Sequence, residues 1–283
     1  MSLLKHENRN KTGLSGVFKR LYLAAVLLFL YAPILTLIVF SFNASKSRAR
    51  WDGFTCDWYI QLSQDSDIIN ALYVTLAVAV LSALIATVIG TLGAIGIHSM
   101  GKFGKTLWMN VANLNMLTPD IVIGVSMMIM FIFFKLELGF FTMLLAHVTF
   151  NIPYVVLAVL PKLRQLNPNL GEAAMDLGAT PWQAFWKVLM PELRPGILNG
   201  MLIAFTMSID DFVISYFTAG SEVSTLAMQI YAMTRKRISP EVNALSTILF
   251  VVVLTLLVIV NVRQVRQEQL NEKRARILRK GGN

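Results

Sequence analysis

Three aspartates lie where carboxylates are costly. Asp120, Asp210 and Asp211 sit inside otherwise apolar stretches that contain no Lys or Arg. An ionised Asp at mid-bilayer costs about 2.5–3.5 kcal/mol on insertion scales, so such residues are expected to face a cavity. With no basic partner at the same depth, a passing organic cation would supply the missing charge. Gly200, Ala204, Ser208, Asp211 and Ser215 recur at helical spacing, a small and polar face suited to the wall of a translocation path. Asp210 is about 100° further round the helix, which puts Asp211 ahead of it on that wall. Tyr216 and Phe217 would add cation–π contacts. The competing reading is structural, a carboxylate bonded to Ser or Thr on a neighbouring helix or to a second subunit. Asp120, beside Pro119, would then cap a broken helix.

The elements that position these residues are read from composition. The chain has 283 residues, 55% hydrophobic and 14% charged, with a mean hydropathy of +0.61. A soluble domain would carry about a quarter charged residues. Six apolar stretches, roughly 21–42, 68–97, 108–134, 140–161, 195–218 and 242–262, reach the ~20 residues a spanning helix needs. The expected fold is an all-α membrane protein with six transmembrane helices over 21–262, between basic tails at 1–20 and 263–283. With the N-terminus inside, all but seven of the 25 Lys and Arg fall on the cytoplasmic side. That bias puts both termini in the cytoplasm. The net charge of +9 is then a topology signal, and lipid, not nucleic acid, is the expected environment. The first apolar stretch is longer than a signal-peptide core and lacks a small-x-small cleavage site, so it reads as a retained anchor. A single cysteine, Cys56, makes no internal disulfide, and no Cys/His cluster has metal-ligand spacing.

Between the fourth and fifth stretches the chain leaves the membrane on the cytoplasmic side. Asn167-Pro168 reads as an N-cap and first-turn proline, followed by the stripe Leu170, Ala173, Ala174, Leu177, with Gly178 as a left-handed stop. Thr180-Pro181-Trp182-Gln183 is a second start with a capping-box Gln, and Trp182, Phe185, Trp186 and Leu189 form a second stripe that Pro191 ends. Two short helices at an angle make a knob suited to a soluble partner. An amphipathic helix lying among headgroups satisfies the same stripe. On the second apolar stretch, Ala86, Gly90 and Ala94 at four-residue spacing suit close helix packing. His147 reads as a helix-to-helix hydrogen bonder.

Glu172-Ala173-Ala174, Gly178 and the run Val188-Leu189-Met190-Pro191 resemble the signature of binding-protein-dependent ABC importer permeases, which have the MetI-like fold. The resemblance implies that this segment is a coupling helix seated in a groove of an ATPase subunit. Glu172, Ala173 and Gly178 match outright, and Ala174, Asp176, Trp182, Phe185 and Trp186 share the segment. Val188 and Met190 stand where the family often has Ile and Leu. The likeness extends over about residues 22–265. Tyr31-Ala32-Pro33, Trp58-Tyr59, Thr118-Pro119-Asp120, His147-Val148-Thr149-Phe150, Ser208-Ile209-Asp210-Asp211 and Ser239-Pro240-Glu241 resemble the spermidine/putrescine branch. The partners this implies are a second permease subunit, an ATPase dimer and an extracytoplasmic binding protein in a bacterial inner membrane. Polyamine is the implied cargo and alternating access the mechanism. Loops 43–67 and 219–241 would receive the binding protein, with Arg235-Lys236-Arg237 pairing its acids. The substrate path would include Asp211, Asp210, Asp120, Ser208, Ser215 and Tyr216.

This chain is expected to bind no cofactor or metal and to be no enzyme. Ser99 to Thr106 superficially resembles a phosphate loop, but it has Ser99 in place of Gly and no preceding strand. ATP and Mg therefore belong to the partner ATPase. A secondary transporter or cation channel is the alternative class, as is a related permease for another small solute. A membrane enzyme lacks any nucleophile, metal or acid–base set.

Overall fold

In hydrocarbon every backbone N–H and C=O must be satisfied within the protein, which turns long apolar runs into helices. The computed structural model describes residues 14–46, 50–236 and 240–255, with 258, 262 and 266. The helices are, in chain order, α1 (Leu14–Phe40), α2 (Asp57–Gln64), α3 (Ser66–Ser99), α4 (Lys102–Leu117), α5 (Asp120–Phe133) and α6 (Phe140–Gln165). They continue with α7 (Leu170–Asp176), α8 (Pro181–Ala184), α9 (Met190–Ile209), α10 (Val213–Thr218), α11 (Leu226–Lys236) and α12 (Pro240–Thr255). A π-helical turn, Phe185–Leu189, joins α8 to α9.

The first, second and fourth expected spans are single helices, α1, α3 and α6, each long and apolar enough to cross a membrane. The third, 108–134, is not one helix: α4 and α5 meet at 105°. Pro119 causes the break, since it lacks an N–H and drives Thr118 to an extended ψ of 130°. The fifth, 195–218, is also broken, because α9 stops at Ile209 and α10 starts at Val213. It begins early too, at Met190. Of the sixth, α12 covers Pro240–Thr255, and most of the remainder lies outside the described residues, as do Lys5, Arg9, Lys11, Arg237 and nearly all of the C-terminal tail. Loop 219–241 contains α11, and loop 43–67 contains α2.

Residues 65–232 form one compact unit. Its core runs between α3, α6 and α9, with Ala83, Ala86, Ala94, Val155, Val159, Leu160, Leu193 and Ala204 buried together. Small residues set the approach. A Cβ on Gly90 would lie 2.7 Å from Val155 Cβ, and one on Gly200 would lie 3.2 Å from Val155 Cα. Both helices thus close onto the same residue of α6, as small residues permit in lipid. A second cluster joins α5, α6 and α10 through Ile123, Phe131, Ala146, Phe150 and Ile214.

The described parts of 1–64 and 233–283 form a separate unit. There Asn43 organises the turn after α1. Its carbonyl accepts from the Trp58 indole N–H at 2.8 Å, and its side-chain amide donates to Arg50 O at 2.8 Å. Ser41 and Tyr59 hydroxyls meet at 2.6 Å.

Candidate functional site

The segment between α6 and α9 is held by its caps. Asn167 Oδ1 accepts the N–H of Asn169 at 3.0 Å, an Asx turn, and Asn169, not Asn167, is the N-cap of α7. Pro168 therefore precedes the helix rather than starting it. At the other end Gly178 has φ +87°. Gly178 N–H donates to Met175 O at 2.9 Å and Ala179 N–H to Ala174 O at 3.1 Å, a Schellman closure that needs a left-handed residue at 178. Thr180 and Gln183 then exchange reciprocal bonds, Gln183 N to Thr180 Oγ1 at 3.3 Å and Thr180 N to Gln183 Oε1 at 3.1 Å.

Pro191 does not end the second helix. The π turn widens the coil, with Met190 N–H reaching back to Phe185 O, and α9 follows without a gap. Pro191 comes directly after the π turn, and the widened coil accommodates its ring and missing N–H. The stripe Trp182, Phe185 and Trp186 is a contiguous ring cluster, with centroids 5.3–6.4 Å apart. Leu177 is 91% exposed, Trp182 71% and Trp186 50%. Glu172, Ala173, Asp176 and Gly178 are exposed beside them, with Ala174 partly covered. This is an apolar patch rimmed by polar groups, the pattern of a docking surface.

The break between α9 and α10 holds the second constellation. Asp211 Oδ2 accepts from Ser215 N at 2.8 Å and Ser215 Oγ at 3.0 Å, and Oδ1 accepts from Ile214 N at 3.3 Å. Its carboxylate thus satisfies the first free N–H groups of α10. His147 on α6 bridges the gap: Nδ1 meets Ser208 Oγ of α9 and Nε2 meets Ser215 Oγ of α10, both at 3.0 Å. Nε2 also stands 3.5 Å from Asp211 Oδ2. Ser208 Oγ further meets Ser82 Oγ of α3 at 2.9 Å and accepts from Asn151 Nδ2 of α6 at 2.8 Å. One node therefore ties α3, α6, α9 and α10. Ser, His and Asp are the residue types of a hydrolase triad, but Ser208 and Ser215 are only 4% and 0% exposed. A packed, closed node positions helices; it admits no substrate.

The face Gly200, Ala204, Ser208, Asp211 and Ser215 is thus a packing seam and not an open wall. Small residues that suit a pore lining suit close helix approach equally, and the helix break rotates Asp211 inward. Asp210, in contrast, caps the C-terminus of α9 and is exposed, as are Tyr216 and Asp120. Phe217 packs on α5, its ring 3.1 Å from where a Gly124 Cβ would stand. Sequence reasoning missed Ser82 and Asn151 as node members. The spacing of Asn151 four residues after His147, both polar in an apolar run, was the available signal. Phe212 and Tyr231, whose ring centroids lie 4.5 Å apart, were also missed. Among the described residues, no three His, Cys, Asp or Glu come together to hold a metal.

The family model for the binding-protein-dependent transport system inner membrane component matches residues 86–270. The chain is 37% identical over 237 residues to the spermidine/putrescine transport system permease protein PotC of Escherichia coli (strain K12), covering 84% of this chain and 90% of that one. It is 36% identical over 228 residues to the putrescine transport system permease protein PotI of the same strain, covering 78% and 81%. Among solved structures, a bacterial ABC transporter involved in the import of the acidic polysaccharide alginate matches with a TM-score of 0.65. That match covers 88% of this chain and 95% of the other at 18% identity, a likeness of fold.

Proposed function

Because the chain belongs to the family of binding-protein-dependent transport system inner membrane components, transport permease subunits of ABC importers and not enzymes, we propose that its cargo is a polyamine, spermidine or putrescine. The observation that carries this reading is the likeness to two polyamine permeases over most of their lengths. The chemistry agrees with it. Asp120 and Asp210 are exposed carboxylates on apolar segments that hold no Lys or Arg. A cavity-facing carboxylate in lipid is stable when a cation passes it.

In this reading six crossings, with both termini cytoplasmic, form half of a path completed by a second permease subunit. An ATPase dimer, which holds ATP and Mg, takes the exposed patch of Leu177, Trp182 and Trp186, with Glu172, Ala173, Ala174, Asp176, Gly178 and Phe185 shaping it. An extracytoplasmic binding protein delivers the cargo to the outer loops. Closure of the ATPase dimer moves the patch. The continuous helical run from Pro181 to Ile209 carries that motion to the break at Asp210, since α9 alone spans about 30 Å at 1.5 Å per residue. The node around Ser208 and His147 makes α9 and α10 follow the α3–α6 pair together.

The test is competition. Proteoliposomes with the complete transporter and loaded binding protein should take up labelled spermidine, and unlabelled putrescine should compete better than a neutral sugar or an amino acid. Uptake of the sugar or amino acid with indifference to polyamines would replace the cargo.

A further inference from the structure

We propose that the neighbouring ends of α3, α4 and α6 form a binding site for the phosphate of an anionic membrane phospholipid, held by His98, Lys105 and Arg164. The site requires only that the chain lie in a membrane, and it makes no use of the cargo. Packing brings the three helix ends together. Ala94, Ile97 and Leu163 are buried in one cluster, and Ile95, Met109 and Leu166 pack against it. His98 follows Ile97, Arg164 follows Leu163, and Lys105 stands one turn before Met109. Both cations act on the His98 ring as neighbouring charges. His98 Nδ1 is itself buried without a hydrogen-bond partner. Among the described residues neither Lys105 nor Arg164 has an ion-pair partner. Their own helices offer none, since no Asp or Glu occurs between Asp67 and Asp120 or between Glu137 and Glu172.

The habit of Lys and Arg to collect beside membrane spans accounts for cations at this level. It does not account for like charges from two helices drawn toward a partly buried, unpartnered imidazole on a third. Lys105 is partly buried as well. Like charges repel at short range, and partly covered ones are screened little by salt. An anion among them turns that cost into attraction. The start of α4 adds donors. Its N-cap is Gly101, no side chain caps it, and no acid stands in its first turn. A Cβ on Gly101 would meet nothing within 4 Å, so the first N–H groups are open to an anion. A neutral imidazole can carry its proton on Nδ1 and donate it to a phosphate oxygen, beside the charged donors. A lipid fits better than free phosphate because apolar side chains continue outward along both helices. Trp108, three residues on from Lys105, is 50% exposed, and Leu92 on α3 is 57% exposed. Basic pockets between helix ends, at the level where Trp marks the interface, suit phospholipid headgroups. The acyl chains then lie along α3 and α4.

Photolabelling of the complete transporter tests this, in phosphatidylcholine nanodiscs with a trace of phosphatidylglycerol that carries a photoreactive group beside its glycerol. Peptides of this chain containing Lys105 or Arg164 should be labelled. Unmodified phosphatidylglycerol should compete, and phosphatidylcholine and inorganic phosphate should not. Each Lys or Arg near an anionic headgroup contributes about fivefold in affinity, so Lys105→Gln with Arg164→Gln should lower this labelling about thirtyfold. Lys105→Arg with Arg164→Lys keeps both charges and should stay within about threefold of wild type. Absence of labelling in the wild type, or equal labelling of wild type and the Gln variant, overturns the site. Competition by inorganic phosphate as strong as by phosphatidylglycerol overturns its assignment to a lipid. If the Gln variant does not assemble, competition on the wild type decides, and equal displacement by phosphatidylcholine overturns the proposal. The readout needs neither cargo nor ATP, so its failure is distinguishable from a failure of the cargo reading.

Discussion

Replacing Asp211 separates a cap from a cargo ligand. Asp211→Ala removes the acceptor for Ile214 N, Ser215 N and Ser215 Oγ. The hydroxyl keeps His147 Nε2 at 3.0 Å, so the loss falls on two backbone N–H groups, both on fully buried residues. A buried donor left without an acceptor costs about 1–3 kcal/mol, and a lost N-cap about 0.5–2 kcal/mol, and these are largely the same bonds. Removing a carboxylate whose nearby basic group is one histidine offsets part of that. The net expectation is a destabilisation of about 2 kcal/mol, near thirtyfold in the folding equilibrium. Asp211→Asn keeps a carbonyl for Ser215 N but turns its amide toward Ile214 N–H, for a loss of about 1 kcal/mol. Asp210→Ala removes an exposed side chain and should stay within about 0.5 kcal/mol of wild type. Unfolding of the purified chain in mixed micelles, followed by helical circular dichroism, measures the series. If Asp211→Ala matches wild type in stability yet abolishes uptake, Asp211 is a cargo ligand and the capping argument is wrong.

Gly90→Ala puts a Cβ 2.7 Å from Val155 Cβ and should destabilise by about 1–3 kcal/mol in the same micelle assay, with Val155→Ala recovering part of the loss. His147→Ala cuts the bonds from α6 to Ser208 of α9 and to Ser215 of α10; at about 0.6 kcal/mol per membrane hydrogen bond plus a cavity, a loss of about 2 kcal/mol is expected. Gly178→Ala meets open space but a φ of +87°, so it should cost about 1–2 kcal/mol locally by opening the end of α7. In the complete transporter it should lower uptake per ATP hydrolysed while the chain still inserts, and an unchanged ratio would show that this end does not couple.

Much of the segment between α6 and α9 was legible because caps are local chemistry. Thr180 with Gln183, and Gly178 at a helix end, are read from a few residues in a row, and each makes the bonds its type suggests. The start of α7 and the role of Pro191 were not legible. An Asx turn at Asn167 and a π turn at Phe185–Leu189 are near-degenerate alternatives to a cap and a stop, decided by how α7 and α9 pack. The spans show the same divide. Hydropathy marks where apolar chain lies, but a break costs so little composition that Pro119 and the Asp210-Asp211 pair vanish inside apolar windows. Asp211 caps α10 instead of continuing one helical face from Gly200, because the helix is broken there, and small residues at period four describe a packing seam as well as a pore. Tyr231 was invisible because it joins Phe212 only through the fold of α11.

The central claim is that this chain carries a polyamine only as part of an ATP-driven assembly. Accumulation of labelled spermidine in proteoliposomes, with and without internal ATP, measures it directly for the complete transporter and for this chain alone. Accumulation is expected with the complete transporter, binding protein and ATP together, and none from this chain alone. Accumulation by the isolated chain, driven by an ion gradient without ATP, would contradict it.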